Sequence, residues 1–452
     1  MEFKSINPHN GKEIATYKEH SEKEINDILK KSQVAFESWR EVPVKERCTY
    51  LINAAEILRK NVDKYAETMT LEMGKPISEA KGEINKCAWV CEFYAENAER
   101  FLADEIIETD ASESFVSHDP IGSVLAIMPW NFPYWQVFRF VAPTLAAGNT
   151  GLLKHAPNVF GCATHIEEIL LEAGFPEGVF QNLFIHHDKT EKIIANDIVK
   201  AVTLTGSERA GKSVGELAGK YLKKSVLELG GNNAFIVLED ADMEQAVKTG
   251  VTARMMNSGQ SCIAAKRFIL VGEAYDKFLP AFIERVKSIK KGEPTDDSTE
   301  IGPLARKDLA DQLHEQLEES VKKGAKIEVG GKQENAFYEP TVLTGVKPGM
   351  PAFDEETFGP LAAIIRAKDV DEAFELAADS KYGLGVTLFT SDVEKARRHI
   401  SKAPDGAFFI NELVKSDPRL PFGGTGKSGY GRELSREGIH EFVNKKTVYI
   451  KK

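Results

Sequence analysis

A chain of 452 residues is too long for one ordinary hydrophobic core, which points to two or three domains. With 42% hydrophobic and 28% charged residues it has a globular composition, and disordered and collagen-like classes are excluded. The net charge of −11 repels a polyphosphate surface, so a nucleic-acid partner is disfavoured while a local basic pocket for a small anion is not.

The first hundred residues read as helical. Residues 21–39 place Ile25, Ile28, Leu29, Val34 and Phe36 close to a helical repeat, and Ser21 with Glu24 has the spacing of a capping box. Residues 44–61 continue with Tyr50, Leu51, Ala54, Ile57 and Leu58 on one face. Gly74-Lys75-Pro76 interrupts the pattern, and a further helix is expected to about Phe101. Alternation over 105–116 predicts an extended hairpin arm.

From Ser123 short apolar runs alternate with amphipathic stretches. Strands are expected at 124–128, 151–154, 201–204 and 224–229, with helices at 134–147, 163–173 and 211–221 between them. A second series follows, with strands at 235–238 and 268–271 and helices at 243–256, 275–287 and 307–323. This alternation predicts an α/β fold of two doubly wound open sheets with a cleft between them. The tail, 446–451, is β-prone and has no partner close in sequence.

Five cysteines, Cys48, Cys87, Cys91, Cys162 and Cys262, are too few and odd in number for a disulfide framework, and fit a reducing cytoplasm. Cys87 and Cys91 lie one helical turn apart with no second Cys/His pair at zinc spacing, so they read as packing residues and no metal site is expected. The chain opens without a signal-peptide pattern, and no apolar run approaches the ~20 residues a bilayer needs. No membrane partner is expected.

Four segments carry candidate chemistry. Cys262 follows the polar, turn-forming run Asn257-Ser258-Gly259-Gln260-Ser261, which suits either an exposed reactive thiol or an ordinary loop cysteine. Glu228 ends an apolar strand before Gly230-Gly231, where a carboxylate needs a chemical role or a partner, such as capping a helix. Pro129-Trp130-Asn131-Phe132-Pro133 is a rigid loop after a strand, and Asn131 offers either oxyanion donors or a helix cap. Gly206, Ser207 and Gly211 open a helix whose N–H groups suit a phosphate. No Gly-x-Gly-x-x-Gly is present, since Gly429-Tyr430-Gly431 is followed by Leu434 at the third position.

Together with Glu355-Glu356-Thr357-Phe358-Gly359-Pro360 and Pro421-Phe422-Gly423-Gly424, these segments resemble, in order and spacing, the NAD(P)-dependent aldehyde dehydrogenase superfamily over essentially the whole chain. Within it the chain looks most like the short bacterial succinate-semialdehyde dehydrogenases. The resemblance implies Cys262 as nucleophile, Asn131 and the Cys262 backbone N–H as oxyanion hole, and Glu228 as the base that activates water. It also implies that Glu228 favours hydrolysis over transfer to coenzyme A. NAD or NADP is implied near Trp130, Lys154, Gly206, Ser207, Gly211, Leu229, Glu356 and Phe358. Residues 1–100 and 119–229 are then expected to form the nucleotide-binding domain, 230–430 the catalytic domain, and 101–118 with 431–452 an oligomerisation arm. A homodimer or homotetramer follows, with the arm and the tail pairing between subunits.

Arg139 sits among Val137, Phe138, Phe140 and Val141, and so either pairs with an acid or faces a pocket. The resemblance makes it the grip on a substrate carboxylate, with Ser416 and Arg419 as further candidates. The expected substrate is therefore a small aldehyde carrying a carboxylate, with other short or medium-chain aldehydes, or a non-catalytic relative, as alternatives. Met256 stands where some relatives place a second arginine. Pro157 stands three residues after Lys154, where NAD-preferring relatives carry a glutamate, so no carboxylate repels a 2′-phosphate; Lys154 and His155 are the cations nearby.

Overall fold

A computed structural model describes all 452 residues. The helix Glu22–Trp39 opens at the expected capping box, with Ser21 and Glu24 each accepting from the other's backbone N–H. It buries Ile25, Leu29, Ala35, Phe36 and Trp39 on one face. Val44–Lys60, Val62–Met73 and Ile77–Leu102 follow, and with Leu51, Leu58, Met69 and Ile84 in one apolar cluster they pack on one another and on the helices Trp135–Ala146 and Phe160–Glu172. Burying side chains of this size contributes roughly 1.5–3 kcal/mol each.

The first sheet has six strands in the order Gly429–Tyr430, Lys224–Glu228, Val199–Thr205, Ser123–Met128, Thr150–His155 and Phe180–Asn182. All pairings are parallel except that of Gly429–Tyr430. Helices Trp135–Ala146, Phe160–Glu172 and Glu208–Lys220 make the crossovers, so both faces are covered and Thr150–His155 is buried along its length. The strand order reverses around Ser123–Met128, which opens a crevice beyond its carboxyl end. Trp130, Asn131 and Lys154 all lie at that edge.

Five residues after Glu228, at Asn233, the chain enters a second sheet. Its order is Lys326–Val329, Thr341–Thr344, Leu361–Ala367, Ala265–Val271, Asn233–Val237, Val386–Phe389 and Phe408–Ile410. Only the first pairing is antiparallel. Separate apolar clusters, one around Leu313 and Phe353 and the other around Phe268 and Phe282, bury its two faces.

Three features differ from the expectation. The tail and the hairpin arm, expected to pair between subunits, pair with each other: Val443–Ile450 runs antiparallel to Glu113–Pro120 over eight residue pairs within the same chain. Their separation in sequence hides this pairing, and the turn of helix Ser435–His440 creates it; His440 Nε2–H donates to the Phe101 carbonyl at 2.7 Å and its ring stacks on His118. Gly429–Tyr430 returns to the first sheet, so the chain leaves the second domain before residue 430. The N-terminal hairpin Glu2–Ile6 with Glu13–Lys18 was not signalled. No helix is long and apolar enough to cross a membrane.

Candidate active site

A cavity of about 580 Å³ lies between the two sheets, bordered by Phe132, Trp135, Gln136 and Arg139 from one side and Ser261 and Cys262 from the other. Cys262 comes from the loop between helix Met243–Met255 and strand Ala265–Val271. It is the one cysteine that is not fully buried; Cys48, Cys87, Cys91 and Cys162 are packing residues. Burial still pushes its thiol up to about 11, against a smaller opposing pull from Lys266 and Arg139.

The loop before Cys262 is held in an uncommon backbone form. Asn257 and Ser258 adopt φ of 56° and 52°, followed by Gly259 at 75°. A Cβ on Gly259 would come within 2.3 Å of the Gly359 backbone, so only glycine fits. Arg254 ties the Gly259 and Thr357 carbonyls together, Glu79 accepts from the Asn257 N–H, and Ser258 Oγ donates to the Gly302 carbonyl at 3.0 Å. Lys266 Nζ donates to the carbonyls of Ser261 and Cys262 at 2.8 and 2.7 Å.

Asn131 joins the two loops. Its Nδ2 donates to the Gln260 carbonyl at 3.0 Å, its Oδ1 accepts from Gln136 Nε2, and its own carbonyl accepts from Asn257 Nδ2. Fixing Oδ1 on Gln136 aims the carboxamide N–H groups at the cysteine loop, where donors can meet an oxyanion. Asn131 is therefore no helix cap here.

Glu228 is buried with neither carboxylate oxygen hydrogen-bonded. Its pKa stands well above the usual range, first through burial and then through the charge of Glu433, while Arg139 and Arg432 pull it down. Arg139 in turn places Nε 2.5 Å from Glu433 Oε2, donates from Nη2 to Thr205 Oγ1 and lies over the Phe422 ring. Both sequence readings of Arg139 thus meet: it pairs with an acid and borders the cavity. Ser416 also borders the cavity and accepts from Lys86 Nζ and Trp135 Nε1. Arg419 does not border it; its guanidinium is committed to Asp417 and lies over Trp89 on the exterior.

The cofactor candidates gather at the crevice of the first sheet. Lys154 is buried and its ammonium forms no ion pair or hydrogen bond with any protein group, and burial lowers its pKa. An unpartnered buried ammonium suits ribose hydroxyls or a phosphate. Ser207 caps helix Glu208–Lys220 by accepting from Ala210, which leaves the first-turn N–H groups for an anion. Glu356 accepts from the Gly231 N–H and sits 3.4 Å from Lys266, and Phe358 packs edge-on to Trp130 at 5.8 Å. Pro157 opens the short 3-10 turn Pro157–Val159. His155 is not a cation here: burial lowers its pKa to about 4, Nε2–H donates to the Pro133 carbonyl and Nδ1 accepts from Ala156 N–H.

Sequence reasoning missed Gln136, Glu433, Lys86 and Lys266. Glu433 lies two residues beyond Gly431, in a segment that matters for its carboxylate and not for its glycines. An acid so close to two glycines was the available signal.

A profile of the aldehyde dehydrogenase family matches residues 1–448. A Synechocystis protein named "Probable succinate-semialdehyde dehydrogenase [NADP(+)]" is 49% identical over 100% of both chains. Succinate-semialdehyde dehydrogenase [NADP(+)] 1 of Mycobacterium tuberculosis is 44% identical, again over 100% of both. Among solved structures, succinic semialdehyde dehydrogenase from Streptococcus pyogenes in complex with NADP+ superposes with a TM-score of 0.97 at 39% identity, covering 100% of each chain. With residues 1–448 matched, Cys262 and the Asn131 loop residue Phe132 bordering one cavity, and Glu228 buried beside the Arg139 that borders it, this chain belongs to the aldehyde dehydrogenase family.

Proposed function

We propose that this enzyme oxidises succinic semialdehyde to succinate, with NADP+ or NAD+ as oxidant. The observation that carries the reading is a cavity joining the Cys262 thiol to a cationic wall at Arg139 and Lys86, in a chain whose relatives carry that name.

Cys262 adds to the aldehyde carbon as its thiol proton leaves. The oxygen that becomes negative is met by Asn131 Nδ2 and the Cys262 backbone N–H; a donor of this kind is worth roughly 10²–10³-fold in rate. A bound nicotinamide would accept the hydride lost from the substrate carbon, and Lys154, Glu356, Trp130, Phe358 and Leu229 would hold it. Leu229 follows Glu228 directly, so one short segment serves both steps. The thioester left on Cys262 is then attacked by water, whose proton Glu228 takes, and the C–S bond breaks to release the carboxylate product and return the Cys262 sulfur. Burial raises the pKa of both the thiol and the Glu228 carboxyl, and so turnover rises with pH.

The absence of a carboxylate at Pro157 supports use of both cofactors, as Lys154 tolerates a 2′-phosphate or a hydroxyl. The Glu105–Ile106, Glu113–Pro120 and Val443–Ile450 sheet leaves two free edges and exposes Ile106, Ile107, Tyr449 and Ile450. Such edges and apolar side chains favour a second copy of the chain, giving a dimer or a dimer of dimers.

A panel of aldehydes against both cofactors tests the reading. Succinic semialdehyde should exceed butanal by about tenfold or more in kcat/KM, the value of one charge-assisted contact. Equal values overturn the substrate, and a monomer in light scattering overturns the assembly.

A further inference from the structure

Five cationic side chains border the cavity: Lys75, Lys86, Arg139, Arg285 and Lys415. Four already have an acid. Lys75 pairs with Glu83, Arg139 with Glu433 at 2.5 Å, Arg285 with Glu300 at 2.8 Å and Lys415 with Glu412 at 2.9 Å. Lys86 has none. Its Nζ instead donates to Ser416 Oγ at 2.9 Å and lies 4.1 Å above the Trp135 ring.

The surrounding hydrogen bonds show why the acids are not available to it. Glu79, Glu83 and Lys86 share one face of helix Ile77–Leu102, at steps of four and three residues. Glu79 accepts from Asn257 N–H and Glu83 Oε1 accepts from the N–H groups of Tyr134 and Trp135. Each acid therefore holds a loop of the site. Lys86 extends from the same face into the cavity with an aromatic ring below and a hydroxyl beside it. Ser416 Oγ accepts from Lys86 and from Trp135 Nε1, so its own O–H is left to donate. An ammonium, a hydroxyl donor and no counter-charge form a receptor for an anion, because a half-buried ammonium held over a ring without an acid gains a charge-assisted contact when one arrives.

We propose that Lys86, with Ser416, seats the distal carboxylate of the substrate, and that Lys86 more than Arg139 sets the preference for a carboxylated aldehyde over a plain one. The proposal rests on the succinic semialdehyde reading and deepens it. Arg139 plays another part, because its Nε and Nη2 are bound by Glu433 and Thr205, which places its charge next to Glu228.

The test compares wild type, Lys86→Gln and Lys86→Arg on succinic semialdehyde and on butanal. Glutamine keeps a donor for Ser416 and removes the charge. KM for succinic semialdehyde should rise about 10- to 100-fold with kcat little changed, the loss of one charge-assisted contact, while butanal kinetics stay within about twofold. Lys86→Arg should recover most of the loss. A Lys86→Gln enzyme that keeps the wild-type preference overturns the proposal and leaves the substrate reading standing. A wild type with no preference for the carboxylated aldehyde overturns both. An equilibrium readout covers a variant with damaged turnover: succinate should raise the Tm of wild type and fail to raise that of Lys86→Gln. An equal rise in both also overturns the proposal.

Discussion

Arg139 Nε lies 2.5 Å from Glu433 Oε2, and the pair sits against Glu228 in a fully buried cluster. The Glu433 charge raises the Glu228 pKa and the Arg139 charge lowers it. Glu433→Gln removes a like charge, so Glu228 ionises more easily and the acid limb of the kcat profile moves to lower pH. Arg139→Met moves it to higher pH. Each displacement should be about one pH unit. Butanal is the substrate of choice, since it brings no carboxylate of its own. A profile unmoved in both variants overturns the coupling.

The same raised carboxyl bears on stability. Above the ordinary carboxyl range the unfolded chain has released the Glu228 proton while the folded one still holds it. Stability therefore falls with rising pH until the folded-state value is passed. Glu228→Gln should flatten this slope in urea unfolding measured between pH 5 and pH 8; an identical slope in wild type and variant counts against it.

With its thiol pushed up to about 11, Cys262 is almost wholly protonated near neutrality. Alkylation by iodoacetamide should accelerate about tenfold per pH unit from pH 7 to pH 10, because the thiolate is the nucleophile. Mass spectrometry should find a single adduct, as the other four cysteines are buried. Cys262→Ala should lower kcat by roughly 10⁴-fold or more with the fold intact. Appreciable turnover in that variant removes Cys262 from the chemistry.

The packing of Gly211 against Leu229 offers a cleaner mutational cycle. A Cβ on Gly211 would approach the two δ-methyls of Leu229 to 2.5 and 2.6 Å. Gly211→Ala should therefore cost about 1–3 kcal/mol through overpacking. It should also raise KM for the cofactor, since Leu229 has to shift. Adding Leu229→Ala should restore much of the stability but not the cofactor KM. Two independent, additive losses of stability would show that the contact is absent.

The longer helices to Lys322 and most parallel strands of the first sheet were legible because each carries its own signal, while Val62–Met73, the three-residue strand Phe180–Asn182 and the later strands of the second sheet were not. A capping box marks Ser21, and buried strands such as Thr150–His155 sit between amphipathic helices. The arm sheet was not legible as a pairing, because Glu113–Pro120 and Val443–Ile450 are joined by register alone, and register between distant segments leaves no local trace. In the site, Cys262 stood out as a thiol in a small, polar, turn-forming loop, and Glu228 as a carboxylate ending an apolar strand. Lys86 and Glu433 did not: a lysine or glutamate in a charged stretch looks like solvated surface until tertiary packing buries it. Arg419 erred in the opposite direction, since its partner Asp417 lies two residues away and draws it outward.

Pro157 stands three residues beyond Lys154, at the start of a short turn beside the crevice. Of Lys154 and His155, only Lys154 is a cation, since His155 is held neutral by burial with both ring nitrogens hydrogen-bonded. Pro157→Glu places a carboxylate within reach of Lys154 and of any 2′-phosphate bound to it. Repulsion between exposed charges at such distances is modest, so KM for NADP+ should rise by about tenfold. KM for NAD+ should hold or fall, because a carboxylate can accept from the ribose hydroxyl. Pro157→Gln separates charge from the loss of the proline ring: it should leave NADP+ largely unaffected. Salt distinguishes them again, since screening at about 0.5 M weakens the effect of the glutamate variant and not that of a distorted turn. If Pro157→Glu and Pro157→Gln behave alike with both cofactors, position 157 does not face the 2′-group.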